Sequence, residues 1–152
     1  MMTLHSEAFE KEDRNSLSDL LTTIGIDVSK GLSYANNEWD FYVEMLNCFI
    51  EEYRSKYELV LQWKDRIPDG QDLKSFTILV HQLKGESKGI GCMDLGEKFY
   101  QLETASKQND IKTVLSYFDA TLEAWSKLII SLEEFLSQAD FGSFSEALQE
   151  SE

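Results

Sequence analysis

The sequence has little cysteine, histidine and proline, and it has no long apolar run. The two cysteines, Cys48 and Cys92, form no Cys-x-x-Cys pair, so neither a zinc site nor a thiol redox motif is indicated. Two reduced thiols fit the cytosol. No apolar run approaches the roughly 18 residues of a membrane span, and the first residues lack the apolar core of a signal peptide. We therefore expect a soluble, cytoplasmic protein.

Positive charge is also scarce. Lysine and arginine together number 14, against 28 aspartates and glutamates, which gives a formal net charge of −14. Such a field repels phosphate backbones and anionic lipid surfaces, so neither nucleic acid nor a membrane is an expected partner. With 152 residues, the chain can bury one hydrophobic core without help from a metal or a disulfide.

Apolar residues that recur every three or four positions predict four long amphipathic helices. We place them at residues 38–64, 72–88, 93–108 and 111–139, with turn signals at Pro68, at Gly89-Ile90-Gly91 and at Asn109-Asp110. There is no alternating strand pattern and no internal repeat. Short connections make consecutive helices antiparallel neighbours, so the expected fold is all-α, an up-down-up-down four-helix bundle.

One or two short helices are expected before the bundle. Asn15-Ser16 offers a cap for the first, which stops at Gly25, and Asp27 begins the second. We expect residues 1–14 to be a mobile N-terminal segment, residues 15–139 to form the bundle, and residues 140–152 to be a flexible acidic tail.

The helix at residues 72–88 carries one of the two histidines, His81. A helical wheel predicts a buried stripe that does not include His81. The stripe consists of Leu73, Phe76, Val80, Leu83 and Ser87. Ser87 is expected to hydrogen-bond the backbone near the helix end.

The side of the helix that carries His81 is basic and has one small residue. It includes Lys74, Lys84 and Lys88, and by itself this pattern is typical of a solvated basic face. Gly85 follows His81 by one helical turn, where glycine costs about 1 kcal/mol relative to alanine. A larger side chain there would shield the imidazole from a partner. Ile78 would add an exposed apolar contact.

The run His81-x-Leu83-Lys84-Gly85-x-Ser87-x-x-Ile90-Gly91 resembles the signature of histidine-containing phosphotransfer domains, the carriers of multistep two-component phosphorelays. Residues outside this run also resemble the family's entry and its following helix. They are Gly25-Ile26-Asp27, Gly31-Leu32, Tyr42, Leu46, Phe49, Leu95, Leu102-Glu103 and Ala105.

The resemblance implies a phosphoryl carrier in two-component signal transduction. His81 would accept the group from one receiver-domain aspartate and pass it to another, Lys84 would supply positive charge to the phosphate, and Gly85 would leave room for the receiver. Lys74, Ile78 and Lys88 are the candidate docking residues. The implied partners are response-regulator receiver domains and a hybrid sensor histidine kinase.

The expected chemistry is that of a carrier and not of an enzyme. A neutral imidazole has a free lone pair at cellular pH, because its unperturbed pKa is about 6.5. The sequence contains no recognisable nucleotide loop, magnesium site or general base beside His81, so we expect no cofactor in this chain and Mg²⁺ on the partner receiver. The four apolar stripes can satisfy one another, which favours a monomer.

Two other functions fit the sequence less well. A docking module could use the same face without carrying phosphate, but docking requires neither an exposed histidine nor a glycine one turn away. A metal-binding helical bundle would require facing ligands of the Glu-x-x-His kind, and this motif is absent.

Overall fold

The computed structural model describes residues 11–69 and 72–138, which form six α-helices and no strand. The helices are α1 Lys11–Thr23, α2 Val28–Tyr34, α3 Trp39–Arg66, α4 Lys74–Gly89, α5 Met93–Lys107 and α6 Ile111–Ser137. A 3-10 turn, Ile67–Asp69, follows α3. None of the described helices has both the length and the apolar character required to cross a membrane.

The four long helices predicted from the sequence are confirmed as α3 to α6. Asp72 stabilises the start of α4, since its carboxylate accepts a hydrogen bond from the Lys74 backbone N–H at 3.0 Å. Asp110 is the N-cap residue of α6, and its carboxylate accepts a hydrogen bond from the Thr113 N–H at 3.2 Å. The turn before α6 places Asn109 at a φ of 54°, a left-handed conformation that asparagine tolerates.

The predicted start of the first helix is wrong. Residues 11–14 already belong to α1, whereas the sequence placed the cap at Asn15-Ser16 and a mobile segment before it. Glu12 and Asp13 lie in the first described turn, where negative charge favours the positive end of the helix dipole. Residues 1–10 and the predicted tail, residues 140–152, lie outside the described residues.

The buried stripe predicted for α4 is confirmed, since Leu73, Phe76, Val80, Leu83 and Ser87 are all buried. The Ser87 hydroxyl donates to the Leu83 carbonyl oxygen at 2.7 Å, as expected. Helix α4 packs mainly against α5, α5 packs against α6, and α3 contacts both α4 and α6. Within the stripe, Phe76 meets the rings of Trp63 on α3 and Phe118 on α6. His81 lies outside this stripe, on the flank of α4 that faces Glu103 of α5.

The end of α4 is fixed by tight contacts with α2 and α3. The Tyr42 hydroxyl donates to the Ile90 carbonyl oxygen at 2.8 Å, and the Asp27 N–H donates to the Gly91 carbonyl oxygen at 2.9 Å. A Cβ at Gly31 would lie 2.6 Å from the Ile90 carbonyl oxygen. The backbone after α4 is therefore held in place, and the helix that carries His81 has a fixed C-terminal end.

Candidate functional site

His81 lies near the middle of α4, outside the buried stripe, with 61% of its side chain exposed. Val80 and Leu83 on either side of it are fully buried, so they anchor the helix while the imidazole reaches the surface. The packing of α4 thus leaves His81 at the surface while the core stays buried.

Glu103 of α5 forms a hydrogen bond with the imidazole of His81. Its Oε2 lies 2.8 Å from His81 Nδ1, although only 2% of the Glu103 side chain is exposed. A buried carboxylate is costly unless charged or polar partners surround it. The surroundings of Glu103 therefore determine whether it is ionised.

Two lysines supply this compensation. Lys84 Nζ lies 2.8 Å from Glu103 Oε1, and Lys107 Nζ lies 3.0 Å from Oε2. Burial alone would raise the pKa of Glu103 above 4.5, but hydrogen bonds from Lys84, Lys107 and His81 outweigh it and lower the pKa to about 2. Glu103 is thus a carboxylate anion at neutral pH.

The ionised Glu103 selects one tautomer of His81. A carboxylate has no proton to donate, so Nδ1 of the ring must carry the hydrogen of their shared bond. A neutral imidazole protonated on Nδ1 has its free lone pair on Nε2. The arrangement therefore gives a surface histidine whose second nitrogen is a nucleophile.

The surface beside His81 is open at Gly85. A Cβ placed on Gly85 would meet no heavy atom within 4 Å outside its own helix backbone and chain neighbours. Ile78, one turn before His81, is 61% exposed, and Lys74 is exposed as well. A partner can thus approach this side of α4 across a small residue and an apolar side chain.

Lys88 is directed toward α5. Its Nζ lies 5.8 Å from the ring centroid of Tyr100, and its side chain covers Gly96, where a Cβ would come within 2.6 Å of Lys88 Cγ. Lys84 Nζ lies 5.3 Å from the same Tyr100 ring. Tyr100 thus contacts two of the three lysines that the sequence placed around His81.

We call the group formed by Glu103, His81, Lys84 and Lys107 the Glu103 network, and Tyr100 lies beside it. From the sequence alone, no role in this site is assigned to Glu103, Lys107 or Tyr100. The Glu103 carboxylate contacts His81 Nδ1, a partner that was not expected from the sequence. Glu103 shares the buried face of α5 with Phe99, Leu102 and Ser106. An acidic residue within an apolar stripe is a signal for a buried, paired charge.

The described residues contain no group of three or more histidine, cysteine or acidic side chains arranged to hold a metal ion. Cys48 is exposed on α3, whereas Cys92, which precedes α5, is buried. The pKa of the Cys92 thiol is raised, mainly by burial.

Comparisons with known proteins gave no relative. No protein-family model matches the chain, and neither the curated proteins nor the solved structures contain a significant match. The motif around His81 and the geometry of the Glu103 network are the features of the chain that point to a function.

Proposed function

We propose that this protein is a phosphorelay intermediate that carries a phosphoryl group on Nε2 of His81. The observation that carries the proposal is the 2.8 Å contact between His81 Nδ1 and the buried Glu103. It gives an exposed imidazole a fixed tautomer and leaves Nε2 as the nucleophile. The motif that begins at His81 and resembles the signature of phosphotransfer domains is the second support.

The transfer step balances without a cofactor bound to this chain. The Nε2 lone pair forms a bond to phosphorus while the bond from phosphorus to a receiver aspartate oxygen breaks, and that electron pair leaves on the aspartate carboxylate. The ring becomes positively charged and keeps its proton on Nδ1. Glu103 stabilises this charge across their hydrogen bond. The return transfer to another aspartate reverses each change.

In this proposal the partners are response-regulator receiver domains, with a hybrid sensor histidine kinase upstream, and the receiver brings both the aspartate and Mg²⁺. The chain contributes a nucleophile, positive charge and an opening at Gly85, so it acts as a carrier and not as an enzyme. Lys74 and Ile78 border the approach to His81. A module that only docks receivers would require neither the ionised carboxylate nor the opening.

The proposal includes an up-down-up-down arrangement of α3 to α6. Ion pairs between α3 and α6 support opposite directions for these two helices. Arg54 pairs with Glu133 and Lys64 pairs with Asp119, each at 2.8 Å, so the later residue of α3 meets the earlier residue of α6. The connections between α4, α5 and α6 are three residues long, which favours antiparallel neighbours.

The test is incubation of the full chain with a phosphorylated receiver domain, followed by assay for acid-labile, base-stable phosphate. We expect label on the wild type and none on His81→Gln, because only the imidazole offers the nucleophile. A wild-type chain that stays unlabelled with several receivers, or a His81→Gln variant that labels equally well, would overturn the proposal.

A further inference from the structure

We propose that Lys107, and not Lys84, is the ammonium group that neutralises the phosphoryl group on His81. The inference rests on the proposed function and assigns direct contact with the phosphoryl group to a lysine outside the motif. Sequence resemblance implied Lys84 for this role, since it follows His81 by three residues on α4.

Lys84 is committed to other contacts. Its side chain is only 20% exposed, and its Nζ lies 2.8 Å from Glu103 Oε1 and 5.3 Å from the Tyr100 ring centroid. Both contacts favour the ammonium where it stands, because the carboxylate is buried and the aromatic face attracts cations. Moving Lys84 to a phosphoryl group would leave Glu103 Oε1 without this partner.

Lys107 has the freedom that Lys84 lacks. Its side chain is 63% exposed and ends α5, and its Nζ is 3.0 Å from the same Glu103 oxygen that His81 Nδ1 contacts. The ammonium is therefore already a neighbour of the imidazole. Lys107 also lines an open groove of about 500 Å³ with Thr77, Ile78 and Ser106, so its side chain is not enclosed by neighbouring residues.

Phosphorylation changes the balance of charge around Lys107. Before transfer, two ammonium groups face one carboxylate in the Glu103 network. A phosphoryl group adds about −1.5 to −2 charges at neutral pH. Lys107 can then bind phosphoryl oxygens while Lys84 keeps Glu103 ionised, so the hydrogen bond to Nδ1 persists during the transfer.

The two lysines thus have separable roles, which a chemical phosphoryl donor can distinguish. We would phosphorylate the full chain with phosphoramidate and follow the product by ³¹P NMR, comparing Lys107→Met with Lys84→Met. Loss of one charge-assisted contact is expected to slow labelling of Lys107→Met by about 10- to 100-fold. It should also raise the pKa of the attached phosphoryl group, which a purely structural lysine would leave unchanged.

The second measurement is the tautomer of His81, which the ¹⁵N signals of its imidazole report. In ¹⁵N spectra of the unphosphorylated protein, Lys107→Met should retain the wild-type pattern of protonated Nδ1 and free Nε2, whereas Lys84→Met should shift it. Lys107→Arg should restore labelling. Lys127→Met is the matched control, because Lys127 pairs with Glu123 at the same i,i+4 spacing on α6, at 3.1 Å.

Three results would overturn the assignment: labelling of Lys107→Met at the wild-type rate, an unchanged phosphoryl pKa, or a larger effect of Lys84→Met on both. Because phosphoramidate replaces the receiver, this outcome is independent of the proposed relay. A chain that shows the expected Lys107 effects but accepts nothing from receivers would contradict the proposed function alone.

Discussion

Glu103 controls His81 through its charge, and its charge in turn depends on side chains from two helices. His81 and Lys84 come from α4, while Glu103 and Lys107 are one turn apart on α5. The ammonium groups keep the buried carboxylate ionised, and the ionised carboxylate orients the ring. The tautomer and the orientation of the imidazole are therefore set by the contact between these two helices and not by the motif alone.

The low pKa of Glu103 predicts a dependence of stability on acid. In the folded protein the pKa is about 2, below the ordinary 4.5, so the folded state binds fewer protons between these values. The stabilisation from ionised Glu103 is fully present above about pH 4.5 and is lost as the pH falls through 2. We expect urea unfolding to show that the stability advantage of wild type over Glu103→Gln shrinks from pH 6 to pH 2.

Both proteins are compared at each pH because other carboxyl groups titrate in the same range. The difference between them isolates residue 103. A difference that stays constant from pH 6 to pH 2 would mean that Glu103 is not held ionised by its lysines.

In the proposed function, a side chain at Gly85 would hinder the approach of a receiver but not the reaction of His81 with a small phosphoryl donor. The series Gly85→Ala, Gly85→Gln and Gly85→Arg fills the open space beside His81 in steps. We expect phosphoramidate labelling to stay within about threefold of wild type, because a small donor still reaches Nε2, while transfer from a phosphorylated receiver falls progressively with side-chain size. Each variant should also be as stable as wild type or more so, since removal of a helical glycine favours α4 by up to about 1 kcal/mol.

Thermal unfolding checks this separation. A loss of receiver transfer in a variant that melts at or above the wild-type temperature locates the defect at the encounter. Receiver transfer that is unaffected by arginine at this position would rule out Gly85 as the clearance residue.

At the scale of helices, the connection after α4 depends on one backbone conformation. Gly91 has a φ of +90°, and a Cβ there would lie 2.2 Å from the Asp27 carbonyl oxygen. The same segment accepts the hydrogen bonds from Tyr42 and Asp27. The backbone of α2 therefore sits directly against the end of α4, and neither side can move without breaking these bonds.

Gly91→Ala is expected to destabilise the protein by more than about 2 kcal/mol, through the left-handed conformation and the overlap with Asp27. Gly89→Ala is the control, because Gly89 is helical and a Cβ there would meet no heavy atom within 4 Å. It should be neutral or stabilising by up to about 1 kcal/mol. Chemical denaturation measures both, and equal effects of the two substitutions would contradict the role of Gly91.

The long helices were predictable from the sequence because each buries its own stripe, and the spacing of apolar residues records that burial directly. The partners of His81 were not predictable in the same way. Glu103 and Lys107 are 22 and 26 positions after it, and they meet it only because α5 packs against α4. Helix periodicity determines which face is buried, but not the register of one helix against the next.

The start of α1 was missed for a related reason. Its first described turn has no buried apolar side chain, so the apolar pattern begins only at Leu17. Propensity and the charges of Glu12 and Asp13 extend the helix beyond the part that the core requires.

At the scale of the whole molecule, the described helices share one hydrophobic core. Leu17 and Leu21 of α1 belong to the same cluster as Trp125 of α6, and all three are fully buried. Tyr53 and Phe99 meet the Trp125 ring from α3 and α5, with centroids 5.0 Å and 5.5 Å away. The first helix is therefore part of the structural unit that supports His81 and not an appendage to it.

Because α1 shares this core, a substitution that removes a buried side chain of α1 should destabilise all the described helices together. Leu21→Ala removes a fully buried side chain and is expected to cost about 2–5 kcal/mol. If the core is cooperative, the denaturation midpoints from far-UV circular dichroism and from tryptophan fluorescence should fall together, because Trp39, Trp63 and Trp125 all pack in or against the core that contains α1. Leu59→Ala on α3 is the control, since that side chain is 52% exposed and its loss should shift neither midpoint appreciably. Circular dichroism that falls first in Leu21→Ala, with tryptophan fluorescence unchanged, would show instead that α1 unfolds separately and that the remaining helices hold the Glu103 network without it.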